Sequence, residues 1–164
     1  MASAYHITIC SHNRELIFSE IDDSGVVHLL ELGEIIDEEW RKIGEVRPDV
    51  LVDEFVIMPN HLHGILLLTA GESDDTPRQF GGSLPDTVSS IVGQTKAAVT
   101  KRAWKLEKWA GKRILQSRFH DRIIRNDPEL ESTRLYIRNN PFEWAFDPDN
   151  PAVVKSWMVS IRRM

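Results

Sequence analysis

Phe55-Val56-Ile57-Met58-Pro59-Asn60-His61-Leu62-His63-Gly64-Ile65-Leu66-Leu67-Leu68 is the stretch on which the reading of the fold turns. It holds two β-compatible runs separated by Met58-Pro59-Asn60, a turn signal, so the pattern predicts an antiparallel hairpin of Val50–Ile57 with the run from His61. Side chains alternate faces along a strand, which puts His61 and His63 on one face and Leu62 on the other. From Ile65 onward the run is apolar without alternation, the mark of a strand covered on both faces and therefore central in its sheet. Two imidazoles at the head of such a strand are a ready pair of metal ligands. Alone, an H-x-H on a strand is a weak signal, and two buried, hydrogen-bonded histidines are the plainer alternative.

Working outward, Tyr5 to Cys10 alternates and reads as the first strand, with Tyr5, Ile7 and Ile9 on one face and His6, Thr8 and Cys10 on the other. Leu16–Ile21 extends or pairs that strand, Asp22-Asp23-Ser24-Gly25 is a turn, and Val26–Leu30 a short strand. His6, His12 and His28 are scattered singly and read as surface or strand-edge residues. Ile35, Ile36, Trp40 and Ile43 form a helical stripe over Glu34–Val46, closed by Arg47-Pro48. The polar segment 71–83 is expected to be a flexible loop. A long helix is expected from Leu84-Pro85, capped by Ser83, to about Trp109. Gly111 breaks it, and Arg113–Arg125 reads as the last strand with an irregular centre. Asp127 as N-cap and Pro128 behind it start a final helix, which Pro141 should end near Asn139. From Asp147 to Met164 an irregular tail is expected. The succession strand, helix, strand, strand, helix, strand, then helix predicts a single α+β domain over 1–164. Its fold is a ferredoxin-like (RRM-like) sandwich: an antiparallel sheet with helices on one face, plus a C-terminal helix that carries Tyr136.

Composition bounds the function. Cys10 is the only cysteine, which excludes an internal disulfide and a Cys-based zinc cage. No stretch reads as a membrane span or a secretory leader, so a cytoplasmic protein with no membrane partner is expected. The net charge of −5 argues against nucleic acid at first sight. Its distribution does not: Thr95–Arg125 holds ten basic residues against Glu107 and Asp121, a local +8 that leaves −13 for the rest. Fields act locally, so that stretch can serve an anionic partner even in an acidic chain, although a solvated helix face is the ordinary fate of such a run.

In the last helix, Tyr136 and Asn140 are four residues apart and share a face if the final turn holds. Brought against the two histidines they would give a three-ligand metal site with an adjacent phenol. A half-buried tyrosine followed by an asparagine helix stop is the alternative.

Taken together, Tyr5-His6-Ile7-Thr8-Ile9 with Asn13-Arg14, Met58-Pro59-Asn60-His61-Leu62-His63-Gly64, Gln94 to Arg102, Phe119 to Arg125, and Tyr136 to Pro141 with Trp144 span nearly the whole chain. In this order and spacing they resemble the single-tyrosine HUH endonucleases, the transposases of the smallest bacterial insertion sequences, and most of all the REP-associated tyrosine transposases. The resemblance implies a ferredoxin-like fold, a nucleophilic Tyr136, and a divalent ion, Mg²⁺ or Mn²⁺, held by His61, His63 and Asn140. It implies single-stranded or hairpin DNA as the partner, cleaved and rejoined through a covalent 5′-phosphotyrosine. Lys96, Lys101, Arg102, Lys105, Arg118, Arg122 and Arg125 would then track the DNA backbone. His120 and Asp121 would be contacts to substrate or to the metal's ligands. Leu115-Gln116 departs from the pattern, since many relatives carry a tryptophan before the glutamine. A non-cleaving binding module of the same fold and a phosphodiesterase using water as nucleophile are the competing functions. Homodimer and monomer both remain open.

Overall fold

A computed structural model describes residues 3–69 and 87–153. The loop expected at 71–83 and the helix start expected at Ser83–Pro85 lie outside these residues, as does the tail from 154 onward. Six strands and three helices follow one another: β1 (Ser3–Cys10), β2 (Ser19–Ile21), β3 (Val27–Leu29), α1 (Glu31–Val46), β4 (Val50–Ile57), β5 (His61–Leu68), α2 (Val88–Ala103), β6 (His120–Ile124) and α3 (Asp127–Glu143). β4, β5, β1 and β6 form one sheet in that order, every neighbouring pair antiparallel. With β1, α1, β4, β5, α2 and β6 as the repeating parts, this is the split βαβ arrangement of the ferredoxin-like fold. β2 and β3 pair separately as a small hairpin rather than extending β1.

β5 lies inside the sheet, as its unbroken apolar run requires, and His61 to Leu66 are all buried. Leu62 and Leu66 join Ile7 and Ile9 of β1 in the main core beneath α1 and α2, where Trp40, Ile43, Ile91 and Val99 close over them. The other face of β5 carries His61, His63 and Ile65. There α3 covers a much smaller apolar cluster of Ile65, Ile124 and Ile137.

Gly64 answers to the first of these faces. A Cβ at that position would come within 2.5 Å of Trp40 Cζ2 and 3.2 Å of Phe55 Cβ. The backbone of β5 is thus the surface on which a fully buried indole rests.

One irregularity in β4 ties α3 down. The pairing of β4 with β5 runs from Val52↔Leu66 to Phe55↔Gly64, so β4 carries one residue more than its partner. Such a bulge lets consecutive side chains emerge on one side. Asp53 and Glu54 both meet α3: Arg134 Nε and Nη2 donate to Asp53 Oδ2 at 2.8 and 2.6 Å, and Arg138 Nε donates to Glu54 Oε2 at 2.9 Å.

Among the described residues α2 starts at Val88, with Thr87 Oγ1 accepting from the Ser90 N–H, and three other helix limits differ from the sequence reading. It stops at Ala103 rather than near Trp109, because Leu106 turns extended and the chain folds back to pack Leu106 and Trp109 against the core. α3 is capped by Asn126, whose Oδ1 accepts from Glu129 N–H, and not by Asp127. It also runs through Pro141 to Glu143, so Asn140 keeps helical geometry. A proline this near the end deletes one hydrogen bond, and Pro141 is buried there. The expected final strand shrinks to β6, preceded by an irregular segment in which Leu115 bridges Ser11. Asp147–Val153 is not a loose tail: Asn150 is buried and donates to the Trp144 carbonyl.

Candidate active site

The two histidines sit where β5 begins, with ring centroids 4.6 Å apart and planes at 75°. Each has its Nδ1 side occupied. His61 Nδ1 lies 2.8 Å from Asn60 Oδ1. The amide of Asn60 is oriented by its own donors, since Nδ2 donates to the carbonyls of Asp149 (2.9 Å) and Arg14 (3.3 Å). An oxygen only accepts, so the proton of His61 is on Nδ1 and the Nε2 lone pair is free. That Nε2 is buried and has no hydrogen-bond partner. His63 Nδ1 faces Thr8 Oγ1 at 2.9 Å and His6 Nε2 at 3.2 Å. Its Nε2 faces the Tyr136 hydroxyl at 3.4 Å. A ligand at Nε2 requires the His63 ring proton on Nδ1, where Thr8 Oγ1 is placed to accept it.

α3 supplies the rest. Tyr136 is half-exposed and Asn140 buried. Asn140 Oδ1, like His61 Nε2, is buried without a partner. Two unpaired acceptors among the few buried polar atoms that lack a partner belong to the residues the sequence singled out as ligands. A buried acceptor left unpaired costs about 1–3 kcal/mol, and a cation removes that cost by taking both lone pairs. Two imidazole nitrogens and an amide oxygen therefore fit a divalent ion. Among the described residues, no cluster of three His, Cys, Asp or Glu side chains offers another site.

The protonation states agree with this arrangement. Burial, with His61, His6 and Arg14 adding to it, holds the His63 pKa down to about 2. Burial likewise lowers His61, against the opposing pull of Asp149 and Asp147. Both rings are neutral near pH 7, the form that binds metal. Burial raises the pKa of Tyr136 against the opposing pull of Asn140, and the carboxylates of Asp147, Asp149 and Glu143 add to the rise, so the phenol is protonated at neutral pH.

Residues read as scattered or structureless prove to be part of the surround. His6 was read as a strand-edge residue. Because Thr8 pairs opposite His63, the polar face of β1 lies directly beside the histidine pair and brings His6 with it. Asp149 accepts an ion pair from Arg14 at 2.9 Å and lends its carbonyl to Asn60. The β1 alternation carried the signal for His6 and Thr8. Nothing in the sequence carried it for Asp149.

The basic residues do not act as one set. Arg102 faces α1 and is bound to Glu38 and Glu39 at 2.5 and 2.7 Å, so its charge is balanced within the protein. Lys96 Nζ donates to the Ser117 carbonyl at 2.9 Å and pins the segment before β6. Lys101, Lys105, Arg118 and Arg125 have exposed side chains. Arg122 lies opposite His6 on the histidine side of the sheet, 3.7 Å from Glu129. His120 pairs with Thr8 and shares that side, whereas Asp121 pairs with Ile7 and points to the opposite face, away from the histidines. Asp121 is thus removed from the candidate contacts by strand parity.

With this geometry in view, the comparisons with known proteins fall into place. An uncharacterised protein of Haemophilus influenzae is 35% identical over 156 residues, covering 87% of this chain and 82% of that protein. The two belong to one family. No protein-family model matches the chain. A solved structure of a REP-associated tyrosine transposase bound to a REP hairpin superposes with a TM-score of 0.57 at 22% identity, covering 86% of this chain and 67% of that one. In fold the chain is similar to that transposase. None of the helices among the described residues is long and apolar enough to cross a membrane.

Proposed function

We propose that the protein is a metal-dependent, single-stranded DNA endonuclease and strand transferase that works through Tyr136. One observation carries the reading. The Tyr136 hydroxyl meets His63 Nε2 at 3.4 Å, and His61 Nε2 and Asn140 Oδ1, on residues two before that histidine and one helical turn after that tyrosine, are buried without a hydrogen-bond partner. A phenol beside a histidine pair and a buried amide oxygen is what a nucleophile next to a cation requires.

His61, His63 and Asn140 would hold Mg²⁺ or Mn²⁺, which when bound polarises a phosphodiester and offsets the charge that builds up on it. The remaining chemistry belongs to the chain. The Tyr136 oxygen attacks the phosphorus, a P–O–Tyr bond forms and the P–O3′ bond breaks. The 3′ oxygen leaves and takes up a proton, balancing the one the phenol gives up. The phosphoryl bond survives in the adduct, so a second 3′-hydroxyl can reverse the step and join a new strand. Asn60 and Thr8 keep the Nδ1 protons of the two histidines in place, and with them the direction of both Nε2 lone pairs. Arg122 and the exposed lysines and arginines flanking the site supply positive charge for the strand on either side of the break.

Incubation with labelled hairpin-bearing single-stranded DNA and Mn²⁺ should give a protein–DNA adduct that survives denaturation, and Tyr136→Phe should abolish it. Cleavage without an adduct would instead identify water as the nucleophile. Binding with neither would identify a non-cleaving module.

A further inference from the structure

Outside the histidine site, the surface between α2 and the segment leading to β6 is hollowed. One cleft of about 460 Å³ is lined by Lys96, Lys101, Trp104, Leu115, Gln116 and Ser117. A second, of about 560 Å³, shares Leu115, Gln116 and Ser117 and continues to His12, Asn13, Arg113 and Arg118. They form one trough with a common wall. Its floor is fixed to the catalytic end of the sheet: Gln116 N–H donates to the Cys10 carbonyl at 2.9 Å, and Cys10 is the β1 partner of His61. Ser11, beside it, donates to the carbonyl of Asn60. A chain lying in the trough leads to the loop that frames His61.

The trough's chemistry is specific in kind. Trp104 is 49% exposed, unusual for the largest apolar side chain. It is not loose, since its indole Nε1 donates to the Lys112 carbonyl at 2.8 Å, which fixes the ring. Lys101, Arg113 and Arg118 stand exposed along the rim. The side-chain amide of Gln116 makes no hydrogen bond among the described residues. A fixed aromatic face, a cationic rim and an unsatisfied amide together match a flat heteroaromatic ring linked to phosphate.

We propose that this trough is a groove for single-stranded DNA in which Trp104 stacks one base. The proposal rests on the enzyme reading above and adds to it the place where the strand is gripped away from the break. Lys101, Arg113 and Arg118 neutralise its phosphates, and Gln116 meets the edge of a base beside the stacked one.

The test is equilibrium binding of a fluorescein-labelled oligothymidylate of about twelve nucleotides, a length within the footprint range of such grooves, measured by anisotropy in EDTA so that chemistry is silent. Trp104→Leu, which keeps an apolar side chain and loses the π face, should bind roughly ten-fold more weakly, while Trp104→Phe should stay within about three-fold of the parent. Scanning one abasic position along the oligonucleotide should weaken parental binding at one site and leave Trp104→Leu unaffected there. Equal affinity of parent and Trp104→Leu would overturn the groove, and so would equal losses in the Leu and Phe variants. If the parent forms the Tyr136 adduct while Trp104→Leu binds normally, the groove fails and the enzyme reading stands. If Trp104-dependent binding is found with no adduct, the groove stands and the enzyme reading fails.

Discussion

Replacing Gly64 by alanine would place a methyl group 2.5 Å from Trp40 Cζ2 and 2.9 Å from Cε2. Carbon atoms settle at about 3.5–4.0 Å, so the indole or the strand must retreat by about 1 Å. Neither moves freely. Trp40 is fully buried, and β5 is hydrogen-bonded on both sides to β4 and β1. Overpacking of this kind costs about 1–3 kcal/mol, and the lower entropy of an unfolded chain with alanine returns about 0.4–1 kcal/mol. A net loss of about 1–2 kcal/mol follows. With a urea m-value of about 1–3 kcal/mol/M, the midpoint should fall by roughly 0.3–2 M. Pairing Gly64→Ala with Trp40→Phe should recover part of that loss, with a coupling of at least about 0.5 kcal/mol. The reasoning is refuted if Gly64→Ala unfolds at the parental urea concentration, or if the double variant shows no coupling.

Other consequences can be checked in the same protein. Asn60→Ala removes the acceptor of His61 Nδ1–H and should weaken Mn²⁺ binding by about ten- to hundred-fold in titration calorimetry, with stability lower by about 1–3 kcal/mol. His61 and His63 have folded pKa values below the ordinary 6.5, so the unfolded chain binds more protons than the folded one as pH falls. Their contribution is therefore complete above pH 6.5 and declines below it, by up to about 1.4 kcal/mol per histidine per pH unit. Unfolding free energies in EDTA at pH 7.5, 6 and 5 should show that slope, and His63→Leu should flatten it; a pH-independent parent would contradict the burial argument. Arg102→Gln should lower stability by about 0.2–1 kcal/mol and change DNA affinity less than two-fold. Lys101→Gln should do the reverse, weakening DNA binding and reducing the salt slope by about one unit.

What could be read in advance follows the range of the interactions concerned. The β4–β5 hairpin and the inner place of β5 rest on local pattern, a turn between two apolar runs, and both stand in the structure. The shared face of Tyr136 and Asn140 was also local, although it depended on α3 surviving Pro141, which a rule about the residue before proline argued against. The end of α2 was not legible, because Trp104 to Trp109 continue a helical composition and only packing against the core pulls them away. The second carboxylate–arginine tie to α3, Glu54 with Arg138, depends on a bulge that alternation alone would not place. His6, Thr8 and Asp149 entered the site through pairing register and chain return, which arise from contacts between residues far apart in sequence.

The anchoring of α3 has one more consequence. α1 and α2 are fastened by a large apolar core, whereas the helix bearing Tyr136 is held by a small apolar cluster, its own Ile137 with Ile65 and Ile124, and by the carboxylates of Asp53 and Glu54. Apolar contacts are indifferent to simple salt, and partly exposed ion pairs are weakened by it. Amide hydrogens of α3 should therefore exchange sooner than those of β5 as ionic strength rises. Tyr136 thus hangs from a helix held partly by ion pairs, the same kind of contact that a polyanionic ligand would bring to it.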